Sequence, residues 1–347
     1  MTGNRQSLDV IEHYYGQVLK SSADLKTTAC CTSAAPAPFI AAALKNVPEE
    51  VKARFYGCGS PIPLALEGVH VLDLGCGTGR DCYVLSQLVG STGSVIGVDM
   101  TEKQLAVARR HRDAHAKRLG YANLEFRKGY IEDLTTARIA DNSIDVVVSN
   151  CVLNLSPDKN RAFSEIFRVL KQGGELYFSD VFADRRIPEE LVHDPVLRGE
   201  CLGGALYWED FRRLMATVGC RDTRVMARRR VDISNPDIEA KIGSVEFYSV
   251  TVRAFKLALE DRCEDFGQAV IYRGTIQEAL HAFELDDHHR FEAGKAMTVC
   301  GNTADMLSQT RYAAHFKLIG DKSQHFGLFD CGTGPTPDEL TKAVPCC

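Results

Sequence analysis

Long apolar runs are missing from this 347-residue chain, and so is any excess of positive charge. No stretch reaches the roughly 18 consecutive apolar residues that a membrane-crossing helix needs. The net charge is −5, which supplies no basic field for nucleic acid or an anionic lipid surface. The one basic cluster, Arg228-Arg229-Arg230, reads as the solvated end of a strand or loop. Met1-Thr2-Gly3-Asn4-Arg5 carries no signal-peptide pattern, and no internal repeat is present. A cytoplasmic protein is therefore expected, with no nucleic-acid and no membrane partner. Cysteine, by contrast, is plentiful: thirteen, a high and odd count. In a reducing compartment these do not build a disulfide framework, which leaves core packing, metal or metalloid ligation, or redox chemistry.

The chain is organised around Val69-His70-Val71-Leu72-Asp73-Leu74-Gly75-Cys76-Gly77-Thr78-Gly79-Arg80, which reads as a buried strand, a glycine turn and a helix start. Glycines at 75, 77 and 79 let the backbone turn sharply and approach a ligand closely. A second strand, Val95-Ile96-Gly97-Val98, ends in Asp99, placed to hydrogen-bond ribose hydroxyls, with Met100 after it. The pyrophosphate fingerprint G-x-G-x-x-G, counted from Gly75 and Gly77, would need glycine where Arg80 stands. Asp73 would repel a phosphate and suits the ammonium of an amino acid. Ribose at one end and an amino acid at the other describe S-adenosyl-L-methionine rather than NAD. The stretch resembles the first motif of the class I methyltransferases.

Strands are expected near 69–74, 95–99, 124–128, 144–149 and 175–181, and helices near 79–89, 102–119 and 158–171, the last ended by Gly173-Gly174. This alternation predicts an α/β fold with a Rossmann-like, doubly wound parallel sheet. Ligands bind such sheets beyond the carboxyl ends of the strands. Ile131 and Glu132 then fall beside the adenine, and Asn150, Cys151 and Asn154 beside the donor's reactive end. Tyr56 borders the donor near its sulfonium or carboxylate. The expected donor set is Tyr56, Asp73, Gly75, Gly77, Asp99, Met100, Ile131, Glu132 and Asn150. Four regions are expected: 1–60, helix and loop with Cys30 and Cys58; 61–186, the methyl-donor core; 187–239, a subdomain with Cys201 and a helix near 208–218; and 240–347, a small α+β domain with strands near 245–255 and 268–272. Leu8, Ile11, Tyr14, Tyr15, Val18 and Leu19 have the spacing of an amphipathic helix.

Cys76, Cys82, Cys220 and Cys263 read as small hydrophobes. Three others stand where a reaction would occur: Cys58 in a glycine turn, Cys151 at the end of a central strand, Cys201 between glycines. Soft thiolates select soft acceptors. Trivalent arsenic on three sulfurs is pyramidal, and its lone pair can face a sulfonium methyl in line for displacement. Here a resemblance becomes specific. Tyr56-Gly57-Cys58-Gly59, the run from Leu72 to Ser86, Ser149-Asn150-Cys151-Val152-Leu153-Asn154-Leu155-Ser156 and Gly199-Glu200-Cys201-Leu202-Gly203-Gly204-Ala205-Leu206-Tyr207-Trp208 resemble the arsenite methyltransferases.

The resemblance implies that Cys58, Cys151 and Cys201 bind As(III) and that Cys30, with Cys31 beside it, joins a redox relay. It implies successive methylation of arsenite and methylated trivalent arsenicals, part of arsenic detoxification. Each transfer raises arsenic's oxidation state by two, so a thiol pair must return two electrons, with thioredoxin or glutathione as external thiol reductant. A monomer is expected. Two other readings remain open at this level: a class I methyltransferase acting on a small carbon or oxygen acceptor, and a metalloid-binding protein without catalysis. His281, His288 and His289 near Asp286 and Asp287 read as a polar turn.

Overall fold

Leu72 of the first strand lies between Ile96 and Val147 of its two parallel neighbours, and this register sets the centre of the molecule. The structure is a computed structural model that describes Thr27 and residues 35–330. The expected helix over residues 8–19 and the thiols of Cys30, Cys31, Cys331, Cys346 and Cys347 lie outside the described residues. The chain divides into two compact units, residues 1–258 and 259–347.

In the first unit, α1 (Pro38–Leu44) and α2 (Glu49–Lys52) precede β1 (His70–Leu74), α3 (Arg80–Leu88), β2 (Ser94–Asp99), α4 (Glu102–Arg110), α5 (Arg112–Leu119) and β3 (Leu124–Lys128). Then come β4 (Ile144–Asn150), α6 (Lys159–Val169), β5 (Leu170–Ala183), α7 (Pro195–Gly199), β6 (Leu206–Tyr207), α8 (Trp208–Thr217), β7 (Thr223–Arg230), α9 (Pro236–Ile242) and β8 (Phe247–Phe255). The sheet runs β3-β2-β1-β4-β5-β8-β7, with β6 paired to β5. The pairs β3/β2, β2/β1, β1/β4 and β4/β5 are parallel; β8 returns antiparallel between β5 and β7. This is the Rossmann-like class I methyltransferase fold with a mixed sheet.

Four of the five β1 residues are buried because helices cover both faces of the sheet. One layer packs Val71, Val95 and Val146 against α1 and α3; the other packs Phe163, Phe178, Phe182 and Phe211 in an aromatic cluster.

The structure departs from the sequence reading at three places. The helix expected over 102–119 breaks at His111, whose ring contacts Glu50 instead. Gly173-Gly174 lie within β5 rather than ending a helix: Gly173 takes φ 77° where the β4/β5 register shifts between residues 144 and 146. The strand expected at 245–255 belongs to the main sheet, pairing nine residues of β5. Arg228–Arg230 end edge strand β7, with Arg230 paired to Glu246; charge of this kind blunts a sheet edge.

The second unit has a three-stranded antiparallel sheet in the order β10-β9-β11, built from β9 (Ala269–Tyr272), β10 (Ala296–Thr298) and β11 (Phe316–Ile319). Tyr272, Phe283, Phe291, Tyr312 and Phe316 form its core. Asp286 accepts hydrogen bonds from the backbone N–H groups of His288 and His289, an Asx turn of the polar kind expected there. No described helix is long and apolar enough to cross a membrane.

Candidate active site

The carboxyl ends of β1, β2 and β4 open onto a solvent-connected cavity. The order of strands reverses beside β1, which is where ligands bind in sheets of this type. Tyr56, Asp73, Gly75, Gly77, Asp99, Met100, Ile131, Glu132 and Asn150 all line this cavity, as does Cys151.

The glycine turn is fixed from within. The N–H groups of Gly75 and Cys76 bond to the Val98 carbonyl, and that of Gly77 donates to Asp99 Oδ2 at 2.9 Å. None of the three is left to cradle a phosphate, which argues against a pyrophosphate ligand. At Gly77 the backbone is left-handed (φ 53°), and a Cβ there would meet open space within the cavity lining. Asp99 also accepts from the Thr101 N–H at 2.7 Å, so its carboxylate is held rigidly at the strand end. Glu132 is oriented by the Ser156 hydroxyl at 2.5 Å. Asp73 is buried against Asp81 and Asp99, and burial, with those charges, pushes its carboxyl up to about 8. A cationic ligand group beside it would offset that cost.

Cys151, in the cavity lining, shares one apolar cluster with Cys58, Cys201, Val181, Leu197, Leu202 and Phe247, and all three cysteines are buried. Asn150 ties this cluster to the cavity. Its Nδ2 donates to the Gly59 carbonyl and to Asp81, and its Oδ1 accepts from the Gly59 N–H. The glycines around Cys58 are required by close approach. A Cβ on Gly57 would lie 2.6 Å from Asn150 Nδ2, and one on Gly59 2.3 Å from Ser179 Oγ. Ser249 Oγ donates to the Cys58 carbonyl, the Cys151 N–H to the Ser179 carbonyl, and Cys201 Sγ to the Cys151 carbonyl at 3.4 Å. Cys151 (φ 57°) and Cys201 (φ 61°) are both left-handed, a rare state for residues with a Cβ. Such strain, over-determined by its surroundings, concentrates at functional sites.

Charged groups surround Cys201. Asp180 is buried, accepts from the Asn154 and Val181 N–H groups, and is pushed up to about 8 by burial and by the Cys201 thiol. Burial pulls Lys159 down to about 8, with Asp180 and Cys201 in its field. Glu200 is fully buried and accepts from both the N–H and the hydroxyl of Thr27 at 2.9 Å.

Sequence reading missed Ser179, Ser249, Thr251, Asp180 and Lys159. Ser179 lies on β5 beside Asn150, whereas Ser249 and Thr251 reach the site only because β8 runs back along β5, and no local pattern announces that pairing. A signal for Asp180 existed: a lone acid inside the apolar run Tyr177-Phe178-Ser179-Asp180-Val181-Phe182.

Residues 65–219 match a methyltransferase domain family, and residues 259–339 a domain of unknown function. The chain is 56% identical over 342 residues to an arsenite methyltransferase of Aquipseudomonas alcaligenes, spanning 97% of this chain and 99% of that protein. It is 46% identical over 320 residues to the human arsenite methyltransferase, spanning 90% and 84% of the two. Among solved structures it superposes on an arsenic(III) S-adenosylmethionine methyltransferase from Chlamydomonas reinhardtii with a TM-score of 0.83 and 52% identity. That match covers 85% of this chain and all of the other.

Proposed function

The chain belongs to the arsenite methyltransferase family, and from that premise we propose that Cys58, Cys151 and Cys201 hold trivalent arsenic beside a cavity that holds S-adenosylmethionine. The enzyme methylates trivalent arsenic from that donor. The observation that carries the residue assignment is the burial of the three thiols in one apolar cluster, two of them on left-handed backbone, against the donor cavity.

The residues present suit the donor. Asp99 would accept from ribose hydroxyls, Glu132 and Ile131 would border the adenine, and Asp73 would face the ammonium. Tyr56 and Asn150 stand near the reacting end. When bound, the donor supplies an electrophilic methyl group on a sulfonium that becomes neutral on transfer.

Arsenite exchanges its three hydroxyls for three thiols, and each thiol proton leaves as water. The chain's part is to hold arsenic so that its lone pair points at the donor, since positioning supplies most of what such a transfer needs. Apolar packing around the thiols excludes competing water. Arsenic then stands two electrons short. Attack of the Cys30 thiol on the Cys58 sulfur forms a disulfide, returns the electron pair to arsenic and releases the Cys30 proton. Monomethyl arsenic stays on Cys151 and Cys201. Thioredoxin or glutathione resets the disulfide. Support for the relay comes from Thr27, fastened to Glu200 next to Cys201; Cys30 is three residues further along the chain. The protein is read as a cytoplasmic monomer.

Replacing Cys151 or Cys201 by Ser is expected to abolish methylation of every arsenical and to spare donor binding. Cys58→Ser and Cys30→Ser are expected to stop methylation of arsenite while sparing that of trivalent monomethyl arsenic under strong reductant. Product speciation from each starting arsenical checks both. Retained activity in Cys151→Ser would move the assignment to a carbon or oxygen acceptor.

A further inference from the structure

Two thiols outside the proposed arsenic site meet beneath the glycine turn. Cys76 sits in the turn itself and Cys82 in the first turn of α3. Both sulfurs converge on Gly97 of β2, where an added Cβ would lie 2.8 Å from each. The missing side chain of Gly97 is the space that the two sulfurs occupy. Cys82 is fully buried; its Sγ donates to Asp73 Oδ2 at 3.1 Å and is hydrogen-bonded with Cys76. Cys76 is half-buried and lines the donor cavity. Sequence reading took both as small hydrophobes, yet one faces the ligand and the other touches the carboxyl assigned to the donor's ammonium.

We propose that Cys76 and Cys82 form a second, two-thiol site for a neutral trivalent arsenical carrying two exchangeable hydroxyls, and that filling it closes the cavity to the methyl donor. The proposal rests on the donor reading of that cavity. Two As–O bonds break and two As–S bonds form, and each thiol proton departs with a hydroxyl as water. Arsenic remains trivalent and no net charge enters the site. Neutrality matters here because isolated charge in a buried niche is costly. Burial pushes Cys76 up to about 11 and Cys82 well above the ordinary thiol value, so both are protonated at neutral pH. They would react poorly as thiolate nucleophiles, but ligand exchange with a hydroxyl consumes the protonated form directly. Asp73, already bonded to Cys82, stands where it can pass the thiol proton to a departing hydroxyl. An arsenic atom bridging the pair would take that hydrogen bond and occupy the turn against which the donor's amino-acid end packs.

The test uses the full chain carrying Cys58→Ser, Cys151→Ser and Cys201→Ser, which removes the proposed catalytic arsenic site. Donor affinity is measured by calorimetry with and without trivalent monomethyl arsenic. The apparent Kd for S-adenosylmethionine is expected to rise at least tenfold with this probe and to recover on adding a dithiol chelator. Trivalent dimethyl arsenic, with one exchangeable ligand, is expected to have no such effect. With Cys76→Ser, or in a second protein Cys82→Ala, added, whatever donor Kd that protein shows by itself should be the same with and without the probe. Thiols elsewhere can take up arsenic without moving this readout. Unchanged donor affinity in the background protein, or competition that survives Cys76→Ser, overturns the two-thiol site. A background protein that binds no donor at all overturns the donor-cavity reading first, and this proposal with it.

Discussion

Asp99 is a scaffold carboxylate at the position proposed for the ribose. It fixes the glycine turn through Gly77 and the start of α4 through Thr101, and it lines the cavity. Charge-assisted hydrogen bonds contribute roughly 1.5–3 kcal/mol each. Asp99→Ala is therefore expected to weaken donor binding at least tenfold; unchanged affinity by calorimetry would refute the ribose assignment. Gly59→Ala tests the other half of the site. Its Cβ would collide with Ser179 Oγ and displace the Cys58 turn, whereas Gly59 itself is not part of the cavity lining. Arsenite binding should fall by an order of magnitude or more with donor affinity within a few-fold of wild type, both read by calorimetry. Asp99 was legible from sequence because the strand, its end and the acid are contiguous. The collision at Gly59 was not, since Ser179 is 120 positions away and only the fold brings it near.

Among the elements, α8 is the brace for β5. Phe211 contacts Phe163, Phe178, Phe182 and Trp208 with ring centroids 5.3–5.8 Å apart. Removing a fully buried aromatic ring typically costs about 3–5 kcal/mol. Phe211→Ala is expected to lower the unfolding free energy from urea titration by an amount in that range, with the slope unchanged and the midpoint shifted down accordingly. A loss below about 1 kcal/mol would mean that the aromatic cluster does not hold α8. Helix α8 and the alternation of β1 to β5 with helices could be read from local periodicity. β8 could not be placed, because an antiparallel return depends on a partner more than sixty residues earlier. The break between α4 and α5 was hidden for a similar reason: Glu50, which takes the His111 ring, comes from a distant loop helix.

For the whole molecule, pH dependence of stability offers a check on burial. His115 is buried against Tyr83, with Nε2 on Ser86 Oγ at 3.1 Å, and burial lowers it from its ordinary 6.5 to about 4. Between those values the unfolded chain binds a proton that the folded chain refuses, so falling pH favours unfolding across that window. Stability at pH 5 relative to pH 7 should drop less in His115→Gln than in wild type. Identical pH profiles by thermal denaturation would show that His115 titrates freely in the folded state. The separation of the chain after residue 258 belongs to this scale too. Composition does not change there, and β8, the last strand of the main sheet, ends only three residues before the break.

Of the three thiols assigned to arsenic, Cys151 lines the open cavity, while Cys58 and Cys201 lie behind it in apolar packing. On the proposed assignment, donor and acceptor would meet across Cys151 and need not share a doorway. Spent donor would then leave and fresh donor arrive through the cavity mouth with arsenic still clamped on its sulfurs, as a jig keeps the workpiece fixed while the tool is changed.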